Sequence, residues 1–481
     1  MKRIRLFRPR AGRQLHAFAV AAFASIAPVL PHHGHAQSLR VAWENARANE
    51  PTLQASKASL EAAEERTTQA YGALLPQLSA TFSTNRNKRD YQQIQATGNT
   101  ESLQKFGTTA SALNLTQPLW RRANLAAWSQ AEDGQSQARH QVAATEQDLV
   151  GRFITAWFDV MAARDTLAFA REQSRAAQLQ SEVFRRGVAL GASNEVQRDD
   201  AAGKYGQALA DEYGADADYD AKVAALEVFA GDMPGFAAPT LRSTIERPEF
   251  NLLDPLDLWL SRAAMRNPAI LAAEKALAAA RQEVKKQQAQ HEPTLDLVGS
   301  FAKNDQADAG NFPGQSGFRT KQASLGIQVA IPLYSGGTQS AKVREAAALA
   351  RKAEFDLDAA RRTTALKVKQ AWAAARSALA RGSAGSLTVA AAETALRAAL
   401  AAERTGLKTA LEELQARQQL AGAQRDQLRA RYDNIVSFVK LRAAIGEAND
   451  PLIASVQAAL ADDNGLRLRV DPGMNPATRA R

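Results

Sequence analysis

The chain has 481 residues, with 60 lysines and arginines against 50 aspartates and glutamates, and a formal net charge of +10. It has no cysteine and only six histidines, so disulfide frameworks, zinc clusters and Cys/His catalysis lack the residues they need. Four of the histidines precede residue 37. The other two, His140 and His291, are expected at ordinary surface or interhelix positions. We therefore expect no enzyme activity and no catalytic, cofactor-binding or metal site.

The first 36 residues are typical of an export signal. Six basic residues are followed by an apolar stretch over Leu15–Leu30 and by the small residues of Gly34-His35-Ala36. The apolar stretch is shorter than the about 20 residues of a membrane-spanning helix, which favours a signal cleaved before Gln37 over an anchor. Removing this segment lowers the formal charge from +10 to +4, so nucleic acid is not an expected partner.

The rest of the chain repeats one domain-sized unit in tandem. Six landmarks recur in the same order and at a nearly constant spacing. The pairs are Pro51 and Pro268, Pro76 and Pro293, Pro118 and Pro332, Trp157 and Trp372, Gly187 and Gly406, and Gly231 and Gly446. The period is far longer than the roughly 20–50 residues of a solenoid repeat. We predict repeats over 37–256 and 257–460, followed by a mobile polar tail over 461–481.

Each repeat is predicted to begin with a helix and to continue with a pair of strands, over 77–118 and 294–334. Six apolar residues alternate with polar or small ones in the second repeat, a strong signal for a half-buried strand: Ala323, Leu325, Ile327, Val329, Ile331 and Leu333. The first repeat carries a weaker version. Polar loops are expected near Asn85–Phe106 and Lys303–Phe318. Strands of about 10 residues suit a bilayer, although a soluble hairpin packed on a core explains the same alternation.

A long helical hairpin is predicted in each repeat, over 119–233 and 338–449. Both spans lack proline and are rich in Ala, Leu, Gln, Glu and Arg, which are good helix formers. Gly187 and Gly191 are turn candidates in the first hairpin, and Gly406 in the second. An arm of about 60 residues would be about 90 Å long, so such arms must pack side by side as coiled coils.

Four strands per chain cannot close a membrane barrel, and an open sheet edge is not viable in lipid. If the strands lie in a membrane, several chains must therefore share one barrel. Three chains would supply twelve strands, continued by a tube of helices.

Three segments resemble the TolC family of outer-membrane efflux proteins. They are Leu75-Pro76-Gln77-Leu78, Ile331-Pro332-Leu333-Tyr334-Ser335-Gly336-Gly337 and Arg404-Thr405-Gly406. The resemblance implies a mostly α fold with membrane β-structure, and a homotrimer with a 12-stranded barrel and a periplasmic coiled-coil tunnel. It places the protein in the outer membrane, in contact with lipid and extending into the periplasm.

The resemblance also implies partners. They are a periplasmic adaptor (a membrane fusion protein), an inner-membrane ABC or proton-driven transporter, and an exported protein or drug. Because the chain has no cysteine to carry a lipid, it resembles the non-lipidated branch. We favour type I protein secretion, including RTX-type toxins, with multidrug efflux as the alternative. A periplasmic coiled-coil adaptor or scaffold is an alternative of another class, but it leaves the strand pairs unexplained.

The resemblance further places a gate at the periplasmic end of the hairpins. Alignment at Gly406 puts an acidic gate position at Glu412, its basic partner at Lys408 and a second acidic position at Gln415. Glu413 is a further candidate. The corresponding residues of the first repeat are Glu195, Asp199 and Asp200. The simpler interpretation is that these are solvated helix positions. The turns at Gly187, Gly191 and Gly406 are expected to face the adaptor, and the gate is expected to depend chiefly on the second repeat.

Overall fold

The computed structural model describes residues 38–93, 100–231, 238–241, 254–307, 317–405, 407 and 409–461. The predicted export signal, Gly406, Lys408 and the predicted polar tail lie outside these residues. Within the described ranges, no helix is long and apolar enough to cross a membrane.

The two repeats have the same order of elements. The first contains α1 (Leu39–Asn49), α2 (Pro51–Gly72), β1 (Gln77–Gln93), β2 (Thr100–Trp120), α3 (Arg122–Ala189), α4 (Glu195–Ala230) and β3 (Thr240–Leu241). The second contains α5 (Leu256–Arg266), α6 (Pro268–Ala289), β4 (Thr294–Ala307), β5 (Phe318–Ala330), α7 (Thr338–Arg404) and α8 (Ala410–Ala444), followed by α9 (Asp450–Ala459) and β6 (Leu460–Ala461).

The second helices of the two repeats begin in the same way. Helices α2 and α6 each have 22 residues and a proline in the first turn, where the missing N–H costs nothing. Each is preceded by a side chain that accepts hydrogen bonds from the first backbone N–H groups, which is Glu50 in the first repeat and Asn267 in the second. The proline landmarks of the sequence thus mark the start of an equivalent helix in each repeat.

One antiparallel sheet joins the repeats, in the order β1-β2-β4-β5. Residues paired across the four strands form rows, and successive rows lie on opposite faces of the sheet. Ala80, Leu113, Phe301 and Ala323 form one row, and Ser79, Asn114, Ser300 and Ser324 form the next row on the opposite face. The apolar face is exposed along all four strands, as at Leu78, Phe82, Leu113, Phe301, Leu325, Ile327 and Val329. Among the described residues, β1 and β5 each pair with one strand only, so both are edges.

The strands are longer than predicted. β1 has 17 residues and β2 has 21, so most of the loop expected over Asn85–Phe106 is strand. β4 likewise extends to Ala307, and β5 ends at Ala330 rather than 334. Hydrophobic alternation marks only the part of a strand with an apolar face. The backbone ladder continues through polar pairs such as Asn85 and Thr108. The first repeat therefore has the longer strands, although its sequence signal is the weaker one.

The hairpin arms are unequal, contrary to the prediction of two arms of similar length. α3 and α7 have 68 and 67 residues, whereas α4 and α8 have 36 and 35. The part of each long helix that the returning helix does not cover packs against a shorter helix: α2 packs on α3, and α6 packs on both α3 and α7. For example, Lys275 of α6 pairs with Asp133 of α3, and Thr67 of α2 donates to the carbonyl of Ala131. The prediction missed this partition because an alanine-rich helix surface does not reveal its partner.

An apolar core is formed by the middle of α3 and the second half of α8, together with shorter elements. It includes Phe153, Trp157, Tyr432 and Ile435, together with Leu39 of α1, Leu241 of β3 and Val456 of α9. β3 pairs with β6. The sequence did not reveal α9 or this two-stranded pairing, because such short strands leave no periodic pattern.

Candidate functional site

The turn between α3 and α4 is a Schellman motif, a common way to end a helix. The Ala192 N–H donates to the Gly187 carbonyl at 2.7 Å, and the Gly191 N–H donates to the Val188 carbonyl at 3.1 Å. Gly191 has φ 71°, which favours glycine. A Cβ at Gly187 would lie 2.5 Å from Oγ of Ser193. Gly191 is therefore needed for its backbone conformation, and Gly187 for the space that it leaves to Ser193.

Of these two hydrogen bonds, the second turn has the one that spans more residues, which corrects the alignment of the repeats. The Leu407 N–H donates to the Ala402 carbonyl at 2.9 Å, as Ala192 does to Gly187 in the first turn. The same alignment pairs the last residues of α3 and α7, Ala189 and Arg404. The counterpart of Gly406 is thus Gly191 and not Gly187, as the landmark pairing had it. Gly406 itself lies outside the described residues.

Each returning helix begins with a capping box, a reciprocal pair of hydrogen bonds between the cap and the third helical residue. Asn194 and Gln197 form it in α4, and Thr409 and Glu412 form it in α8. Glu412 Oε2 accepts from the Thr409 N–H at 2.9 Å. The sequence carries the signal Thr-x-x-Glu at residues 409–412, which the sequence analysis missed.

We call the turn between α3 and α4, with the start of α4, the first tip, and the turn between α7 and α8, with the start of α8, the second tip. The acidic candidates of the second tip differ in their surroundings. Glu412 is exposed, but its carboxylate is oriented by the capping box. The side chain of Glu413 is only 6% exposed, and Oε1 accepts from Arg417 Nε at 2.8 Å. The interpretation of Glu413 as a solvated position is therefore wrong. Gln415 is exposed and neutral, and Lys408 lies outside the described residues.

The acidic candidates of the first tip are exposed and paired along their own helix. Asp199 Oδ1 accepts from Arg198 Nε at 2.8 Å, and Asp200 pairs with Lys204 at 2.7 Å. Glu195 lies 3.8 Å from the Arg198 guanidinium. The hydrogen bond from Arg198 is the main cause that lowers the pKa of Asp199. These carboxylates thus each have a basic neighbour at the surface.

Large apolar side chains are exposed at both tips. Leu190 is 83% exposed, Val196 77% and Leu407 82%. Isolated exposed apolar residues are ordinary, but here they surround the ends of two helical turns. The tips thus combine oriented carboxylates with apolar contact points.

The two remaining histidines lie in different surroundings. Burial, with Lys275 and Arg139, lowers the pKa of His140 on α3, and His291 is exposed after α6. Among the described residues, no group of three or more His, Asp or Glu side chains could hold a metal ion.

Comparisons with known proteins give a consistent result. A family model described as "Outer membrane efflux protein" matches residues 42–232 and 259–447. The chain is 28% identical over 425 residues to outer membrane protein TolC of Vibrio cholerae, a match that covers 88% of this chain and 94% of that protein. It is 27% identical over 428 residues to the proteases secretion protein PrtF of Dickeya chrysanthemi, covering 87% and 90%. The solved structure of the outer membrane protein VceC of Vibrio cholerae matches with a TM-score of 0.67 at 20% identity, over 85% of this chain and 96% of that one.

Proposed function

The chain belongs to the outer membrane efflux protein family, and we propose that three copies of it form one channel-tunnel that serves type I protein secretion. The resemblance to the TolC family is confirmed, and so is the predicted fold class of duplicated strand pairs and long helical hairpins. The protein is an outer-membrane channel component, extends into the periplasm and is not an enzyme.

The open edges of the chain support self-assembly. In the sheet, β1 lies at one edge and β5 at the other. In the helical layer beside it, α2 packs on α3, α3 on α6 and α6 on α7, so α2 and α7 lie at the two ends. An unpaired strand edge is a template for another strand, and joining one end to the opposite end of a neighbour produces a ring. Three chains then bring together twelve strands. The two unpaired edges are the observation that carries this proposal.

Engineered disulfides test the assembly, because the chain has no cysteine of its own. We would place one cysteine on β1, within residues 77–84, and one on β5, within residues 322–329, scanning the pairs. The expected result is a ladder ending at a covalent trimer on non-reducing gels. Ser79→Cys with Asn114→Cys is the matched control, because these residues face each other within one chain. A ladder that ends at a dimer, or no ladder in any pair, contradicts the proposal.

Protein secretion is the favoured cargo class because a relative matched over most of both chains is named a proteases secretion protein. Drug efflux remains the alternative, because the family model is described as an efflux protein. Deleting the gene should remove specific proteins from the culture medium with little change in drug sensitivity. A change in drug sensitivity alone would favour efflux instead.

The tips are proposed to receive the periplasmic adaptor, which connects the tunnel to an inner-membrane transporter. Leu190, Val196 and Leu407 supply exposed apolar contacts there. Photo-crosslinkers at these three positions should capture an adaptor in cells. Crosslinks confined to positions near the 94–99 and 308–316 segments would reverse this orientation.

Glu412 is proposed to line the gate, where three carboxylates around a narrow pore would favour cations. Glu412→Gln is the sharpest test, because glutamine keeps the capping box, as Gln197 does in the first repeat. We expect lower cation selectivity in planar-bilayer recordings. Gln197→Glu is the matched variant. It should raise cation selectivity by less than Glu412→Gln lowers it. Unchanged selectivity and conductance in Glu412→Gln would remove this residue from the constriction.

A further inference from the structure

A groove of about 880 Å³ lies along the helical layer, and some of its lining residues, such as Phe229 and Ala371, also pack against the apolar core. It is lined by residues of α3, α4, α7 and α8 and by the start of α6. On α3, Asp148, Arg152 and Asp159 line the groove, whereas Phe153 and Trp157 are part of the core. Helical spacing places these two sets on opposite faces of the helix.

The groove is built from equivalent positions of the two repeats. When the repeats are aligned at the ends of α3 and α7, Arg152 of α3 corresponds to Lys367 of α7. Lys222 of α4 corresponds to Ser437 of α8, and Ala225 corresponds to Lys440. All six residues line the groove. Each repeat thus contributes the same helix faces but a different set of charges.

The carboxylates of the groove form ion pairs, whereas its lysines form none with the carboxylates that the structure describes. Asp148 Oδ2 accepts from Arg152 Nε at 2.7 Å, and Asp159 lies 3.7 Å from Arg429. Lys222, Lys367 and Lys440 make no ion pair with any carboxylate of the described residues. Three lysines from three helices therefore line the groove.

A change of helix cap between the repeats accounts for part of this excess. In the first repeat the cap of α2 is Glu50, whose carboxylate lies 3.5 Å from Arg152. In the second repeat the cap of α6 is the neutral Asn267, which lines the groove with Lys367. The start of α6 adds the partial positive charge of a helix N-terminus. The second repeat thus keeps the cation and lacks its counter-charge.

We propose that this groove binds a small multivalent oxyanion through Lys222, Lys367 and Lys440. Ammonium groups are usual partners of phosphate and carboxylate oxygens, and the volume suits a small molecule. If three chains form a tunnel as proposed above, the groove lies on its inner wall. That placement rests on the proposed function, whereas the binding itself does not.

Titration calorimetry on the full-length protein in detergent tests the binding, with pyrophosphate and citrate as separate probes. We expect saturable binding, weakened about threefold by each single Lys→Gln change and about tenfold or more by the triple variant. Lys367→Arg should retain binding. Lys352→Gln is the matched control, because Lys352 is exposed on α7 outside the groove and pairs with Asp356. Tighter binding of one probe tells phosphate from carboxylate recognition.

Equal binding by wild type and the triple variant overturns the proposal, as does an equal loss in Lys352→Gln. Planar-bilayer recordings then test the placement, with pyrophosphate expected to block wild-type current and to block the triple variant at least tenfold less. Normal conductance without block overturns the luminal placement. Binding in a protein that never conducts contradicts the proposed function instead.

Discussion

The two helical tips have the same backbone and different side-chain chemistry. Both end the long helix with the same long turn hydrogen bond, and both begin the returning helix with a capping box at the equivalent position. In the first tip the carboxylates are exposed and paired with neighbours such as Arg198 and Lys204. In the second, Glu413 is buried against Arg417 and Glu412 is part of the cap.

This difference shows which constraints the duplication preserved. The turns and caps satisfy backbone groups that every helix end exposes, so both repeats need them. The charged side chains of the two tips satisfy no backbone group of this kind, and they differ between the repeats. Matched substitutions in the two repeats therefore separate what the fold requires from what one repeat alone contributes.

The largest contrast is expected between Gly446→Ala and Gly231→Ala. Both glycines have positive φ, 84° and 80°, so alanine should cost about 1–3 kcal/mol at either. A Cβ at Gly446 would also lie 2.8 Å from the Arg266 carbonyl oxygen, whereas a Cβ at Gly231 would have none of the described residues within 4 Å. The clash should add about 1–3 kcal/mol. Melting followed by circular dichroism should show the lower temperature for Gly446→Ala, and equal shifts would contradict the contact.

A second contrast concerns the carboxylates of the tips. Glu413→Gln leaves the partly buried Arg417 without its counter-charge, and we expect a loss of about 1–3 kcal/mol. Asp199→Asn removes an exposed pair and should leave the melting temperature unchanged within error. If both variants melt like wild type, the Glu413–Arg417 pair does not stabilise the second tip.

The two capping boxes should behave alike, which checks the common backbone. Thr409→Ala and Asn194→Ala should each cost about 1 kcal/mol, felt locally at the start of α8 or α4. Hydrogen exchange of residues 411–416 and 195–200 is the measurement. Faster exchange is expected only in the helix whose cap is removed. Thr409→Ser, which keeps the hydroxyl, serves as the control.

The smallest expected effect is a pH dependence of one cap and not the other. Burial would raise the pKa of Glu50, but hydrogen bonds from Thr52 and Leu53 and the charge of Arg152 outweigh it and lower the pKa. A lowered pKa means that this stabilisation is present above the unfolded-state pKa and is lost as the pH falls through the folded-state value. Exchange at the start of α2 should therefore increase on acidification.

The start of α6, capped by the neutral Asn267, is the internal control for this experiment. Its exchange, corrected for the intrinsic rate, should not respond to the same acidification. Glu50→Gln should abolish the difference between the two helices. A parallel response of both helices in wild type would show that acid loosens the whole region rather than one cap.

The sequence was sufficient for the order of the long helices and of the four long strands, and insufficient for their packing partners. The absence of proline and the abundance of helix formers made α3 and α7 predictable, and the alternation before Pro332 made β5 predictable. The unequal hairpin arms were not predictable, because alanine-rich faces fit several neighbours. The polar ends of β1 and β2 were missed because a backbone ladder needs no apolar residue.

The candidate site was predictable only as a region. Glu412 and Glu413 were identified as neighbours, but which one is buried depends on the rotation of α8 against its partners, which the pattern does not specify. The groove lysines Lys222, Lys367 and Lys440 are far apart in sequence. Only the fold places all three of them in the lining of one groove.

The core that holds α1 against α9 has a consequence for when the chain can fold. Arg40 N–H donates to Gln457 Oε1 at 3.3 Å, and Leu39, Ile453 and Leu460 are buried in one cluster. The first described helix thus completes its packing with residues made near the far end of the chain. A chain that emerges N-terminus first has no finished core until its last described helix arrives.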